Sequence, residues 1–215
     1  MIDAPQDLET LTALGLFVRR GLIEPDLCRR LRKEARRAMQ VKATISGDNG
    51  VVLVDERTRR TKRAEISDTA AALAHARLAG VRDEISRHFE LELTGTQQPQ
   101  FLLYRRGDFF RPHQDNSRAG TLDDEIRLRQ VSVVAFLSDQ TRLPRPDTFC
   151  GGELRFFMLD PRATPANART AVRGEAGLVV AFRSDTFHEV APVTAGERYT
   201  VVTWMIGPGT GAAAP

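Results

Sequence analysis

His113 and Asp115 are separated by a single residue, Gln114. On an extended chain, positions i and i+2 point the same way, so an imidazole and a carboxylate can converge on one ion. A third ligand has to come from elsewhere. His188, 75 positions on in a second predicted strand, is the candidate. Two histidines and one carboxylate on one face of an octahedral ion leave positions open, the arrangement of non-haem Fe(II) sites. The motif alone is short and recurs by accident, and the same side chains could serve as caps or core hydrogen-bonding groups.

The stretch from His188 to Arg198 (HEVAPVTAGER) reads as strand, turn, strand, which returns Arg198 alongside His188. An arginine there could hold a carboxylate bidentately beside a metal. By parity Arg198, Thr200, Val202 and Trp204, the only tryptophan, share one face of the last strand. The other reactive groups are few: His75 and His88 fall in a predicted helix and read as ordinary helix residues. Cys28 and Cys150 lie 122 positions apart with no CxxC motif. That excludes a Cys-rich zinc finger and a disulfide scaffold, and fits a reducing compartment.

Elements must position these residues. Leu8, Leu11, Leu14 and Val18 predict a helix over 6–20. Pro25 followed by Leu27, Leu31, Ala35 and Met39 predicts a second over 25–40, and Leu73, Leu78, Val81, Ile85 and Phe89 a third over 68–90. Between them, Gly47–Gly50 marks a hairpin turn between Val41–Ile45 and Val51–Val54, followed by a basic loop at 57–63. From about residue 100, short β-rich runs alternate with turns: Phe101–Arg105, Gln130–Leu137, Glu153–Phe157, Leu178–Phe182, Phe187–Val190 and Arg198–Ile206. Strands without intervening helices indicate an antiparallel sandwich or barrel. Residues 142–148 and 159–175 read as loops. The expected organisation is a single domain over 1–215. Residues 1–99 form a helical support with the basic hairpin and loop, 100–206 the catalytic core, and 207–215 a flexible tail.

At 215 residues with 41% hydrophobic composition, the chain can bury a real core. No secretory signal or membrane span is expected, and the location expected is cytoplasmic. The net charge of +3 is uneven: residues 1–18 carry −3, residues 19–63 carry 14 basic and 6 acidic side chains, and the remainder 17 and 19. The basic block is either a solvated helix face with a mobile charged loop, or a contact for an acidic protein, a nucleic acid or a membrane surface. No aromatics interleave with its arginines, which disfavours base stacking.

Four segments together resemble the 2-oxoglutarate/Fe(II)-dependent dioxygenases, in their prolyl 4-hydroxylase-like branch. They are Tyr104–Asn116 (YRRGDFFRPHQDN), Arg129–Asp139 (RQVSVVAFLSD), Gly151–Phe157 (GGELRFF) and His188–Trp204. The resemblance covers about half the chain. It implies an α+β fold with a mainly β core, a double-stranded β-helix (jelly-roll) behind an N-terminal layer of supporting helices. It implies that His113, Asp115 and His188 bind Fe(II). Arg198 would pair with the distal carboxylate of 2-oxoglutarate, with Tyr104 and Thr200 lining the same pocket and Arg129 and Trp204 near the substrate. Where some relatives place a tyrosine, this chain has Phe136, which implies cosubstrate hydrogen bonding that is either thinner or shifted to Thr200 or Tyr104.

The implied reaction consumes O2 and 2-oxoglutarate, releases succinate and CO2, and hydroxylates an unactivated C–H bond; ascorbate is a further cofactor candidate. Related halogenases lack the carboxylate that Asp115 supplies. The substrate implied is prolyl-type, in a protein, peptide or amino-acid-like molecule, with a small metabolite as the alternative. A nucleic-acid substrate is disfavoured, because the repair oxygenases carry a second arginine six positions after the first, where this chain has Trp204. A cupin-like isomerase would draw more histidines from one motif, and a non-catalytic binding module would have lost a ligand. In the resembled family a mobile loop near 57–63 closes over the substrate.

Overall fold

The computed structural model describes residues 6–46, 52–116, 124–157 and 169–208. In chain order the helices are α1 (Leu8–Ala13), α2 (Pro25–Arg37), α3 (Asp68–Ala79), α4 (Arg82–Phe89) and α5 (Asp124–Arg127). The strands are β1 (Phe17–Arg19), β2 (Met39–Lys42), β3 (Ile45–Ser46), β4 (Val52–Leu53), β5 (Arg59–Arg60), β6 (Lys62–Glu65), β7 (Gly95–Thr96), β8 (Gln100–Tyr104) and β9 (Phe109–His113). They continue with β10 (Arg129–Phe136), β11 (Asp139–Gln140), β12 (Thr148–Gly151), β13 (Leu154–Phe157), β14 (Arg169–Val172), β15 (Val179–Arg183), β16 (His188–Val190), β17 (Val193–Gly196) and β18 (Arg198–Ile206).

The helices start where capping chemistry places them. Asp7 accepts the Glu9 amide at α1, Pro25 opens α2 at a position that needs no amide proton, and the Ser67 hydroxyl accepts the Ala70 amide at α3. Their ends differ from the periodicity. The helix predicted over 6–20 stops at Ala13: Gly15 takes a left-handed φ of +86°, and Phe17–Arg19 pairs with β15 as an edge strand. The helix over 25–40 stops at Arg37, and Met39, 64% exposed, begins β2 rather than continuing the apolar stripe. The helix over 68–90 is two helices broken at Gly80-Val81. The 41–54 hairpin is shorter than expected, β3 against β4; its turn lies outside the described residues, as do 158–168 and 209–215.

The segment 57–63 is not the free loop that the sequence suggests. Arg59–Arg60 pairs with Phe110–Phe109 as β5, and β6 pairs with both β2 and β8. Each of the two presumed loops also contains regular structure: Thr148 begins β12, and β14 pairs with β13.

The larger sheet runs β1-β15-β10-β18-β8-β6-β2, with β7 also on β18; the smaller runs β14-β13-β16-β9-β5. From β8 onward the chain crosses repeatedly between them: β8 to β9 to β10, then β13 and β14, then β15 to β16 to β18. Four strands of each sheet built this way make a double-stranded β-helix, or jelly roll. A third small sheet, β11-β12-β17, closes one end. Alternation along β18 separates two cores. Tyr199, Val201 and Met205 join Leu31, Ala74, Leu78 and Ile85 beneath the helices. Val202 and Trp204 join Leu102, Tyr104, Phe136, Phe156 and Phe182 between the sheets. The helices thus seal one face of the larger sheet, leaving its other face and the smaller sheet to frame the site. Among the described residues, no helix is long and apolar enough to cross a membrane.

Candidate active site

His113 ends β9 and His188 begins β16, and the two are register partners across that pair. Asp115 follows β9, anchored by its amide to the Ser184 carbonyl at 2.9 Å. His113 Nε2 stands 3.6 Å from one Asp115 carboxylate oxygen and His188 Nε2 3.7 Å from the other. One ligand atom from each residue lies within 4.8 Å of the other two. The far nitrogens are tied down: His113 Nδ1 is 2.8 Å from the Arg111 carbonyl and His188 Nδ1 3.0 Å from the Thr186 carbonyl. A carbonyl only accepts, so each Nδ1 carries the proton and each Nε2 lone pair faces the cluster.

Electrostatics keep His188 and Asp115 in ligand form. Burial pushes the His188 imidazole down to about 4, helped by the nearby His113, so it is neutral at ordinary pH. Burial alone would raise the Asp115 carboxyl, but His188, His113 and the Ser132 hydroxyl together hold it well below the usual carboxylate range. Ser132 is itself held by Ser184 at 3.0 Å.

A β-bulge aims His113. His188 pairs with His113 but Val190 pairs with Phe110, so β9 has one residue more than β16 over this interval. Pro112, which has no amide proton to donate, sits inside it. Phe110 and His113, three apart, consequently stack with ring centroids 3.5 Å apart and planes 19° apart. Phe182 packs edge-on to His188 at 4.6 Å.

Deeper between the sheets, Arg198 is 1% exposed. It lies opposite Tyr104 in the β8–β18 register, with its guanidinium carbon 5.0 Å from the ring centroids of both Tyr104 and Phe136. One nitrogen donates to the Thr200 hydroxyl at 3.3 Å, while Nε and Nη2 are buried without a hydrogen-bond partner. Burial pushes this guanidinium down to about 10, with Tyr104 and Glu153 opposing the shift. Gly152 (φ +65°) gives it room: a Cβ there would stand 3.1 Å from Arg198 Cδ and 2.9 Å from Val193 Cγ2.

Arg129 and Trp204 form a third group. A second bulge, in β10 between Arg129 and Val131, turns Arg129 away from the helix-side face of its strand. Its guanidinium carbon lies 3.6 Å from the Trp204 ring centroid. Arg129 Nε donates to Gln97 at 2.9 Å, and the Asn116 amide donates to the Arg129 carbonyl. The pair walls a cleft of about 640 Å3 that Gln97, Arg63 and Phe101 also line. The Trp204 indole nitrogen is buried with no partner.

Residues 99–206 match the family model of the 2OG-Fe(II) oxygenase superfamily. The chain belongs to that superfamily. Curated relatives of this oxygenase include a PKHD-type hydroxylase of Shewanella sp. strain MR-7, 33% identical over 107 residues, which are 50% of this chain and 42% of that protein. Another, from Maricaulis maris, is 36% identical over 102 residues, 47% of this chain and 38% of that protein. The matched part is thus only about two fifths of these relatives' own length. The whole fold is similar to a crystal structure of a Pseudomonas putida prolyl-4-hydroxylase, with TM-score 0.67, 26% identity, and 94% and 97% of the two chains covered. A Trichoplax adhaerens prolyl hydroxylase, solved in complex with a hypoxia inducible factor peptide fragment, has the same fold, with TM-score 0.64, 17% identity, and 93% and 86% covered.

The residues of the oxygenase fit the two groups in the superfamily's name. Two imidazole nitrogens and one carboxylate suit Fe(II). A buried guanidinium with two unsatisfied nitrogens suits a carboxylate such as the distal one of 2-oxoglutarate. The structure brings His113, Asp115 and His188 together, Arg198 with Tyr104 and Thr200, and Arg129 with Trp204. Phe136 contributes only its ring against Arg198. Sequence reasoning missed Ser132 and Ser184, the buried hydroxyl pair behind Asp115, and Phe110 beside His113. Ser132 left a trace, as the lone polar side chain in the apolar run VSVVAF.

Proposed function

We propose that the chain is a dioxygenase dependent on Fe(II) and 2-oxoglutarate that hydroxylates an unactivated C–H bond, prolyl-type, on a protein, peptide or amino-acid-like substrate, with succinate and CO2 as co-products. The observation that carries this reading is the pairing of the His113/Asp115/His188 cluster with a buried Arg198 that has two unsatisfied nitrogens and no ion pair with a described carboxylate. Bound iron, with 2-oxoglutarate and O2, supplies the oxidising power.

The protein's part is to bind, orient and exclude. His113, Asp115 and His188 hold the metal, and the Arg111 and Thr186 carbonyls fix the two ring orientations. Arg198 would hold the distal carboxylate of 2-oxoglutarate, with Thr200 steering the guanidinium and Tyr104 and Phe136 keeping water from it. The Arg129–Trp204 stack walls the cleft that the substrate would approach. The superfamily match, the hydroxylase relatives and the peptide-bound neighbour support a protein or peptide substrate.

The test is anaerobic titration with Fe(II) and 2-oxoglutarate, followed by O2 and a succinate assay. Fe-dependent succinate is expected from the wild type and none from His113→Ala. Equal succinate from both would sink the reading. A screen of proline-containing peptides and free amino acids then identifies the substrate.

A further inference from the structure

β5 and β9 carry a concentration of arginine that the reaction does not use. Arg57, Arg60, Arg106 and Arg111 are exposed and Arg59 is half-buried. None makes an ion pair within 4.0 Å with a described carboxylate. Glu56 pairs instead with Lys42 at 2.8 Å, Asp55 accepts the Thr58 hydroxyl and the Arg57 amide, and Asp108 accepts the Arg105 amide. Arg57 and Arg60 act on Asp55 and Glu56 only as neighbouring charges that lower those carboxyls. Like charges gathered this way repel one another, and an anionic partner relieves that repulsion.

Three of the arginines, Arg59, Arg60 and Arg111, pack over aromatic rings. The Arg60 and Arg111 guanidinium carbons lie 5.6 and 5.7 Å from the Phe109 ring centroid, and that of Arg59 lies 4.6 Å from Phe110. Two are also fixed by backbone: Arg59 donates to the Thr44 carbonyl at 2.9 Å and Arg111 to the Arg57 carbonyl at 2.5 Å. Such packing restricts the side chains before any partner arrives, which lowers the ordering cost of binding. The strip also runs to the site. Phe110, which Arg59 covers, stacks on His113, and Arg111 is two residues from it.

We infer that the β5–β9 strip of Arg57, Arg60, Arg106 and Arg111 is a docking surface for an acidic peptide segment flanking the residue to be oxidised. This names a substrate class for the proposed hydroxylase and rests on that reading. Charge alone would also suit a nucleic acid. However, base stacking needs free aromatic faces, and here guanidinium groups lie over both rings.

The test uses fluorescence anisotropy with the full chain and three labelled probes: a dodecapeptide of glutamate and glycine with one central proline, its lysine-for-glutamate counterpart, and a twelve-nucleotide oligothymidylate. The glutamate peptide should bind at least tenfold tighter than the other two, and more weakly as salt rises. The triple variant R57E/R60E/R106E should weaken it at least tenfold, while R57K/R60K/R106K keeps most of the affinity. Reversal of exposed arginines on α2, R29E/R30E, should leave it unchanged. In the triple reversal, 2-oxoglutarate affinity and substrate-free succinate formation should match the wild type, which separates a docking defect from misfolding. Glutamate-peptide binding untouched by the triple reversal, or equal binding of the oligothymidylate, overturns the inference. Absence of succinate in the wild type overturns the proposed reaction instead, since anisotropy reads the strip independently.

Discussion

The rings of Phe110 and His113 lie nearly parallel with centroids 3.5 Å apart, although on a regular strand residues three apart face opposite sides of the sheet. The extra residue in β9, with Pro112 inside it, reconciles the two. The bulge sets the direction of the imidazole, and the phenyl ring and the Arg111 carbonyl hold it there. The backbone irregularity of β9 thus sets the geometry of the His113/Asp115/His188 cluster.

Phe110→Leu tests that support. It keeps an apolar side chain of similar reach but removes the flat partner of the imidazole. The fold should lose less than about 1.5 kcal/mol. Metal affinity should fall by roughly 10-fold, at the low end of what outer-shell substitutions do. Calorimetric titration with Fe(II) or Co(II) under argon reads the difference, and an unchanged dissociation constant would show that the stack does not hold the ligand.

Arg198→Met separates stability from function. The buried guanidinium has two unsatisfied nitrogens and no ion pair with a described carboxylate, so it weakens the ligand-free fold. Replacing it with an apolar side chain of similar length should leave the ligand-free protein as stable as the wild type or more stable, by an amount on the order of 1–4 kcal/mol. Affinity for 2-oxoglutarate should fall at least tenfold. Urea denaturation and cosubstrate titration measure the two effects, and a ligand-free variant less stable than wild type would contradict the argument.

How much of this is legible in the sequence depends on the range of the interaction. The face shared by Arg198, Thr200, Val202 and Trp204 follows from strand parity, and the two cores on either side of β18 agree with it. The convergence of His113 and Asp115 is readable from their i, i+2 spacing, whereas His188 enters through the pairing of β9 with β16, which the family resemblance rather than the spacing anticipates. The helix boundaries are not, since a leucine at helical spacing also fits a buried strand: Val18 belongs to β1, where Gly15 turns the chain onto the sheet edge. β5 is invisible, because Arg59 and Arg60 have no apolar alternation and pair with a strand far along the chain. Bulges leave no composition signal, so neither the Phe110 stack nor the Arg129 reorientation can be read from spacing.

Alkaline stability should report on the packing of α2 beneath the larger sheet. Burial pushes the Cys28 thiol from its ordinary 9.0 up to about 11. The folded state therefore keeps a proton that the unfolded state releases. This contribution is fully present below pH 9 and is lost as pH rises toward 11, by about 2 kcal/mol from this group. Cys28→Ala should show a flatter decline of the urea midpoint between pH 8.5 and 11, whatever its stability at pH 7. Parallel slopes for wild type and variant would mean that the thiolate is solvated in the folded state.

Gly152 and Gly21 make a controlled comparison for the space around Arg198. Both have left-handed backbone, with φ of +65° and +67°. A Cβ on Gly21 meets nothing within 4 Å, so Gly21→Ala should cost only the left-handed penalty, about 1–2 kcal/mol. A Cβ on Gly152 meets Val193 at 2.9 Å and Arg198 at 3.1 Å, so Gly152→Ala adds overpacking, for roughly 2–4 kcal/mol in total. The functional difference should be sharper than the energetic one. Displacing the Arg198 stem moves the nitrogens that would hold the cosubstrate carboxylate, so the KM for 2-oxoglutarate should rise in Gly152→Ala and not in Gly21→Ala. Substrate-free succinate formation measured against 2-oxoglutarate concentration decides it. Equal KM values for the two variants would mean that Gly152 serves only the turn between β12 and β13.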